Sequence, residues 1–195
     1  IPGLRIERIL QEPGTGAAAA GARDRDFTAV SPKLAAMYDL GNNWSVFGSV
    51  ARTERAPTLD ELYSTEAEVQ RGPLFFGART PSLSLEPETA TTVELGLSYE
   101  GYDVLNEGDV LQAKVTAFHN DIDNLIATTP RPAGPAPGQP TVPYFSNIDE
   151  ARIWGIELEG AYEADRWFGQ AAYSRVRSED VATGDTLTDT PADTL

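Results

Sequence analysis

Trp154-Gly155-Ile156-Glu157-Leu158-Glu159-Gly160-Ala161-Tyr162-Glu163-Ala164-Asp165-Arg166-Trp167-Phe168-Gly169-Gln170-Ala171-Ala172-Tyr173 carries the decision about the fold. Before Glu163, the residues Trp154, Ile156, Leu158, Gly160 and Tyr162 alternate with Gly155, Glu157, Glu159 and Ala161. After Arg166, Trp167, Gly169, Ala171 and Tyr173 alternate with Phe168, Gln170, Ala172 and Ser174. A period of two belongs to β-strands, whose successive side chains point to opposite faces. Glu163–Arg166 is short enough for a tight turn, so the stretch predicts an antiparallel hairpin. Its first arm reads as extended back to Tyr144. That is far longer than the roughly 5–6 residues of a soluble strand and exceeds the roughly 9–11 needed to cross a bilayer.

The same alternation recurs in Lys33–Leu40, Trp44–Val50, Thr92–Tyr99 and Leu111–Ala117. Short turns are predicted at Asp39–Asn43, Glu100–Asp109 and Glu163–Arg166. Much longer connections are predicted from about residue 54 to 88, from about 128 to 143, from about 11 to 26, and after Arg177. Short and long connections thus alternate. Tyr38, Trp44, Tyr99, Tyr162 and Trp167 sit beside the short turns, all on the apolar faces of their strands, as residues at a membrane interface do. The fold class expected is all-β: an antiparallel transmembrane β-barrel segment of about seven strands, with long extracellular loops and short periplasmic turns.

Composition agrees. Of 195 residues, 41% are hydrophobic and 23% charged, which excludes a disordered tail and is less apolar than a soluble enzyme usually is. No apolar run is long enough for a transmembrane helix, and a barrel needs none, because only every second residue meets lipid. There are no cysteines, so disulfides and Cys-based metal sites are excluded. A net charge of −15 argues against nucleic acid as a partner. Ile1–Arg5 reads as mid-strand and Thr190–Leu195 as a loop leading onward, so the chain is expected to be a piece of a longer one.

Within the longest connection, Thr58 and Glu61 form a T-x-x-E capping box, which predicts one short loop helix packed by Leu59 and Leu62. The proline-rich run 130–140 and the alanine run 17–20 are expected to be loop, the former without ladder hydrogen bonds. No catalytic set, phosphate loop or metal spacing stands out, and no enzyme activity or cofactor is expected. Glu157 and Glu159 share a face and are expected to line a wet lumen. His119 shares the face of Val115 and Ala117 and is expected at the membrane interface. Arg52 and Arg55, at the mouth of their strand, are candidates for an anionic ligand, because guanidinium binds carboxylates bidentately. Salt bridges to loop acids are their competing use.

Arg55-Ala56-Pro57-Thr58-Leu59-Asp60-Glu61-Leu62-Tyr63 resembles a segment of TonB-dependent receptors, closest to the haem and haemoglobin receptor branch. Glu54 stands where that branch has Phe. Leu85, Pro87 and Glu88 match a second family box whose paired asparagines are missing here. Asn147, Ala151, Gly155, Glu157 and Glu159 are similar to an N-x-x-x-A-x-x-x-G-x-E-x-E strand of such receptors. The resemblance implies that residues 1–195 are part of a 22-stranded barrel in the bacterial outer membrane, bathed in its lipid. The resemblance further implies an N-terminal plug domain, which contacts the TonB complex, and remaining strands that are expected to lie outside the chain. It implies active import of an iron-containing nutrient: haem, from haemoglobin or another haem protein, or alternatively a ferric siderophore. Haem receptors carry a His between the two boxes. Here Tyr63 is the only phenol in that interval, and Tyr can ligate haem iron. A passive porin-like barrel and a soluble β-sandwich are the competing classes.

Overall fold

The computed structural model describes residues 1–14, 21–188, 190, 193 and 194. Seven long strands form one antiparallel sheet: β1 (Pro2–Gln11), β2 (Arg25–Gly41), β3 (Trp44–Arg55), β7 (Glu88–Tyr102), β8 (Val110–Thr128), β11 (Phe145–Ala164) and β12 (Trp167–Asp180), neighbouring in that order. Every connection is to the adjacent strand. The sheet is open, with β1 and β12 at its edges. The long connection after β3 holds helix α1 (Leu59–Tyr63) and strands β4 (Val69–Arg71), β5 (Leu74–Phe76) and β6 (Arg79–Thr80). The connection after β8 holds β9 (Ala133–Gly134) and β10 (Val142–Pro143). No helix among the described residues is long and apolar enough to cross a membrane.

Register decides which side chains share a face. Tyr38 stands opposite Val46, Trp44 opposite Tyr99, Leu95 opposite Ala117, and Ile156 opposite Ala117. One face therefore carries Leu4, Ile6, Val30, Leu34, Tyr38, Trp44, Val50, Val93, Leu95, Trp154, Ile156, Leu158 and Trp167, all large apolar side chains open to the surroundings. The opposite face carries Ser49, Glu94, Gln112, Lys114, Thr116, Glu157 and Glu159, with Ser49 donating to Glu94 at 3.0 Å. Apolar outside and polar inside is the reverse of a soluble sheet packed on a core, and it is the pattern a bilayer requires. Phe47 and Phe118 are inner-face exceptions. Their rings lie over Gly96 and Gly155, the residues paired with them across the strands, where a Cβ would enter each ring. Glycine at these two positions is a matter of space for an aromatic neighbour.

The short turns form as their residues dictate. Asn42 and Asn43 adopt positive φ (52° and 71°) between β2 and β3, as a two-residue hairpin turn demands. Between β7 and β8, the Asp109 carboxylate accepts the N–H groups of Val104, Leu105 and Asn106 at 2.7–2.9 Å, and the Tyr162 hydroxyl donates to it at 3.0 Å. Burial alone would raise the Asp109 carboxyl. These donors outweigh it and hold the group below the usual carboxylate range. Trp44 and Tyr99, with ring centroids 5.0 Å apart, join Tyr38, Tyr162 and Trp167 along the short-turn end of the apolar face.

Two expectations are corrected. The proline-rich connection is not free of ladder bonds: β9 pairs with β5, placing Gly134 opposite Phe75, and β10 pairs in parallel with β6. The residues that pair include Ala133 and Gly134, which keep the N–H groups that proline lacks. In α1, Leu62 is buried but Leu59 is more than half exposed, because a five-residue helix presents only one narrow side to the sheet. The alanine run 17–20 lies outside the described residues, as do Pro191, Ala192 and Leu195 of the terminal stretch. Thr194, from the same stretch, bridges Ser174 antiparallel.

Candidate functional site

The connection after β3 folds over the inner face at the long-loop end, and named side chains hold it there. Thr58 caps α1 by accepting the Glu61 N–H at 3.2 Å, while the Glu61 carboxylate accepts the Thr58 N–H at 2.7 Å. The same carboxylate accepts two N–H groups of Arg55, at 2.9 and 3.1 Å. Arg55 turns its Nε and one terminal nitrogen to Glu88 on the paired strand, at 3.2 and 3.0 Å. Glu88 also accepts the N–H of Ile126 on β8, at 3.1 Å. Burial alone would raise the Glu61 carboxyl. Arg55 and the Thr58 N–H override it, so its pKa lies below the ordinary value.

Beneath this ionic knot lies the small apolar core. Leu62, Leu85 and Ile126 are buried against one another, with Tyr63 and Phe145 packed at the side. Pro57 is fully buried, and its carbonyl accepts from Gln11 on β1 at 2.7 Å. Arg25 on β2 donates to the carbonyls of Leu83 and Leu85. From the far side, Asn147 on β11 donates to the carbonyls of Glu86 and Asn124 at 3.2 and 2.7 Å and accepts the Glu86 N–H at 2.9 Å. The loop is thereby tied to strands from β1 to β11, a width of about 24 Å at about 4.8 Å per strand.

The positions foreseen from sequence fall into distinct places. Arg55, Ala56 and Pro57 begin the loop, Leu85 and Pro87 end it, and Glu88 opens β7. The structure brings the two boxes together through the Arg55–Glu88 pair. Tyr63 lines a cavity of about 390 Å³ with Gly21, Ala22, Arg23, Arg25 and Leu83. Arg52 stands apart from these. It lies on the outward face, half-exposed, with Glu54 3.3 Å away. His119 also lies outward, 3.1 Å from Asp121. Sequence reasoning did not single out Gln11, Arg25 or Asn147 as parts of the mouth. Asn147 opens the family-like strand motif, and that position was the available signal. Gln11 and Arg25 lie at strand ends whose approach to the loop is set by tertiary structure. Among the described residues, no cluster of His, Cys, Asp and Glu is arranged to hold a metal ion.

These features define a class: a wall segment of an outer-membrane β-barrel, with an ordered loop docked in its mouth. The family model described as TonB dependent receptor-like, beta-barrel, matches residues 1–195, and the chain belongs to that family. Its members are outer-membrane receptors and not enzymes. The chain is 35% identical over 132 residues to the iron-regulated outer membrane virulence protein of Vibrio cholerae, covering 65% of this chain and 19% of that one. It is 30% identical over 154 residues to a hemin receptor of Yersinia pestis, covering 77% and 22%. A solved double mutant of the Serratia marcescens hemophore receptor HasR, in complex with its hemophore HasA and heme, superposes with a TM-score of 0.64 at 21% identity. That match covers 90% of this chain and 29% of HasR, and at this identity it speaks for the fold. The chain thus spans about a fifth of the length of these curated relatives.

Proposed function

We propose that this segment is the mouth-forming part of a TonB-dependent importer whose cargo is haem. The complete receptor would add a plug domain that engages the TonB complex, and enough strands to close a barrel of about 22. The observation that carries the reading is the placement of Tyr63. The clamp of Arg55, Glu61 and Glu88 fixes α1 so that this phenol borders a cavity shared with Arg23 and Arg25. A phenolate can ligate ferric haem iron, and guanidinium groups suit the two propionates. Relatives named as hemin receptors support the same cargo. In this reading Tyr63 meets the ligand, Arg55 positions the loop, and Arg52 serves the outward rim.

A ferric siderophore is the second reading, favoured by the absence of any histidine between Pro57 and Leu85. Adding haemin to the purified complete receptor separates the two. The haem reading expects a Soret shift that changes position in Tyr63→Phe. No shift with haemin, together with binding of a ferric catecholate or hydroxamate, would establish the siderophore reading instead.

A further inference from the structure

A second pocket lies away from Tyr63, where the loop after β3 meets the loop after β8. Glu66, Arg71, Phe76, Arg79, Arg131 and Tyr144 enclose about 410 Å³ there. Three arginines face a single carboxylate, in a chain whose net charge is −15. We propose that this pocket recognises a carboxylate group on a small ligand arriving from outside the cell.

The three arginines are not equivalent. Arg131 is committed to the fold: it pairs with Glu66 at 2.7 Å and donates to the carbonyls of Gly77 and Ala67, both at 2.8 Å. Arg79 shares Glu66 at 3.4 Å, donates to the Thr129 carbonyl at 2.9 Å, and stacks over Tyr144 with its guanidinium carbon 4.6 Å from the ring centroid. Its Nε is buried without a partner in the protein, as is the Thr129 hydroxyl. Arg71 ends β4, its guanidinium carbon 5.9 Å from the Phe76 centroid, and among the described residues it takes part in no ion pair. One of the three positive charges is answered by Glu66, and two are not. Glu68, the next acid along, is occupied by the N–H groups of Gly138 and Gln139 at 2.7 and 2.9 Å.

A planar carboxylate fits this arrangement. It can take the free fork of Arg71 bidentately, with the guanidinium charge of Arg79 beside it, while Phe76 and Tyr144 wall the body that carries it. The pocket lies within the range of small-molecule sites, about 300–1,000 Å³. The proposal does not depend on haem being the cargo. A porphyrin acid and a ferric carboxylate chelate present the same group.

The test uses the complete receptor in detergent with iron-free protoporphyrin IX, its dimethyl ester, and ferric citrate. Arg71 is the residue to change, because among the described residues its side chain makes no hydrogen bond or ion pair within the loop. At least one of the two acids should bind with measurable affinity. Arg71→Glu should weaken that binding tenfold or more, Arg71→Lys much less, and protease cleavage of the loops should stay unchanged in both. The acid that responds identifies the source of the carboxylate. If protoporphyrin responds, its dimethyl ester should bind the unsubstituted receptor at least tenfold more weakly. Equal binding of ester and acid, unaltered affinity in Arg71→Glu, or no binding of either acid would each overturn the proposal. None of these readouts involves iron ligation, so failure of the Tyr63 reading shows separately, in the Soret band of haemin.

Discussion

Replacing Arg55 by Ala removes the centre of the knot that holds the loop to the barrel wall. The change deletes four hydrogen bonds to two carboxylates and leaves Glu61 and Glu88 facing each other without a cation. Breaking a fully buried pair costs about 3–5 kcal/mol, whereas exposed pairs are worth about 0–1 kcal/mol. The Arg55 side chain is 39% exposed and its partners 17% and 14%, so solvent screening places the cost between these limits, at about 2 kcal/mol. The cost falls on loop docking and leaves the barrel strands untouched, because Arg55 stands at the end of β3. A loss of about 2 kcal/mol speeds exchange through local opening about 30-fold. The reporters are the amides of Leu62 and Ser64, which donate to Thr58 and Asp60, and that of Ser82, which donates to Leu62. Exchange measured on the complete receptor should accelerate at these amides and remain unchanged in mid-β8. Arg55→Lys should recover part of the protection. Acceleration below threefold at all three amides would show that the ionic knot contributes nothing and that the apolar cluster and the bonds from Gln11, Arg25 and Asn147 dock the loop without it.

Thr58→Ala should loosen the same amides by about 1 kcal/mol, the usual worth of an N-cap, with helix exchange as the measure. Acid should have a similar effect. The Glu61 carboxyl lies below its ordinary value of about 4.3 in the docked loop. Its contribution is therefore complete above that value and lost as pH falls through the lowered one. Protease resistance of residues 56–87 should be flat from neutrality to about pH 5 and decline below about pH 4; a decline confined to alkaline pH would contradict the assignment. Gly155→Val should force the Phe118 ring and the neighbouring Arg175 carbonyl away from β11 and lower the yield of heat-resistant folded barrel on gels. Gly160→Val, whose new Cβ meets nothing closer than 3.9 Å, should not.

The strands were legible because a bilayer imposes the simplest of patterns. Every second residue from Trp154 to Tyr162 is apolar or glycine, and the register places each of them outward. Asp39–Asn43 and Glu100–Asp109 announced turns through residues rich in turn formers and glycine, and Asn42, Asn43, Asp103 and Gly108 within them adopt positive φ. The capping box gave α1 its start. The side of α1 that packs was not legible, since either Leu59 or Leu62 satisfies a local pattern and only the position of Leu85 and Ile126 selects Leu62. Pairing of β9 with β5 was hidden for a similar reason. Two residues between prolines carry no periodicity, and their partner lies in another loop. The role of Arg55 was half visible. Its spacing from Glu61 is local, but Glu88 arrives through strand pairing. The cavity beside Tyr63 and the arginine pocket each draw on segments distant in the chain, which no window of sequence brings together.

The open sheet leads to a prediction about the 195 residues taken alone. β1 and β12 do not pair with each other, so among the described residues each leaves one side without a neighbouring strand, apart from the bridge of Ser174 on β12 to Thr194. In hydrocarbon each unpaired N–H or C=O group costs several kcal/mol. In water the edges are templates for further pairing, and the outward face exposes Leu4, Ile6, Leu34, Val93 and Leu95 together. The buried cluster among the described residues, around Leu62, Leu85 and Ile126, is too small to offset the ordering of seven strands, since fixing a single backbone residue costs about 1–2 kcal/mol. The isolated segment should therefore aggregate or remain unfolded without detergent. In the proposed complete importer, with neighbouring strands over both edges and lipid over the apolar face, the same residues should resist denaturation. A soluble monomer of the segment with a single cooperative urea transition would mean that its greasy face packs on itself, and would undo the assignment of that face to lipid.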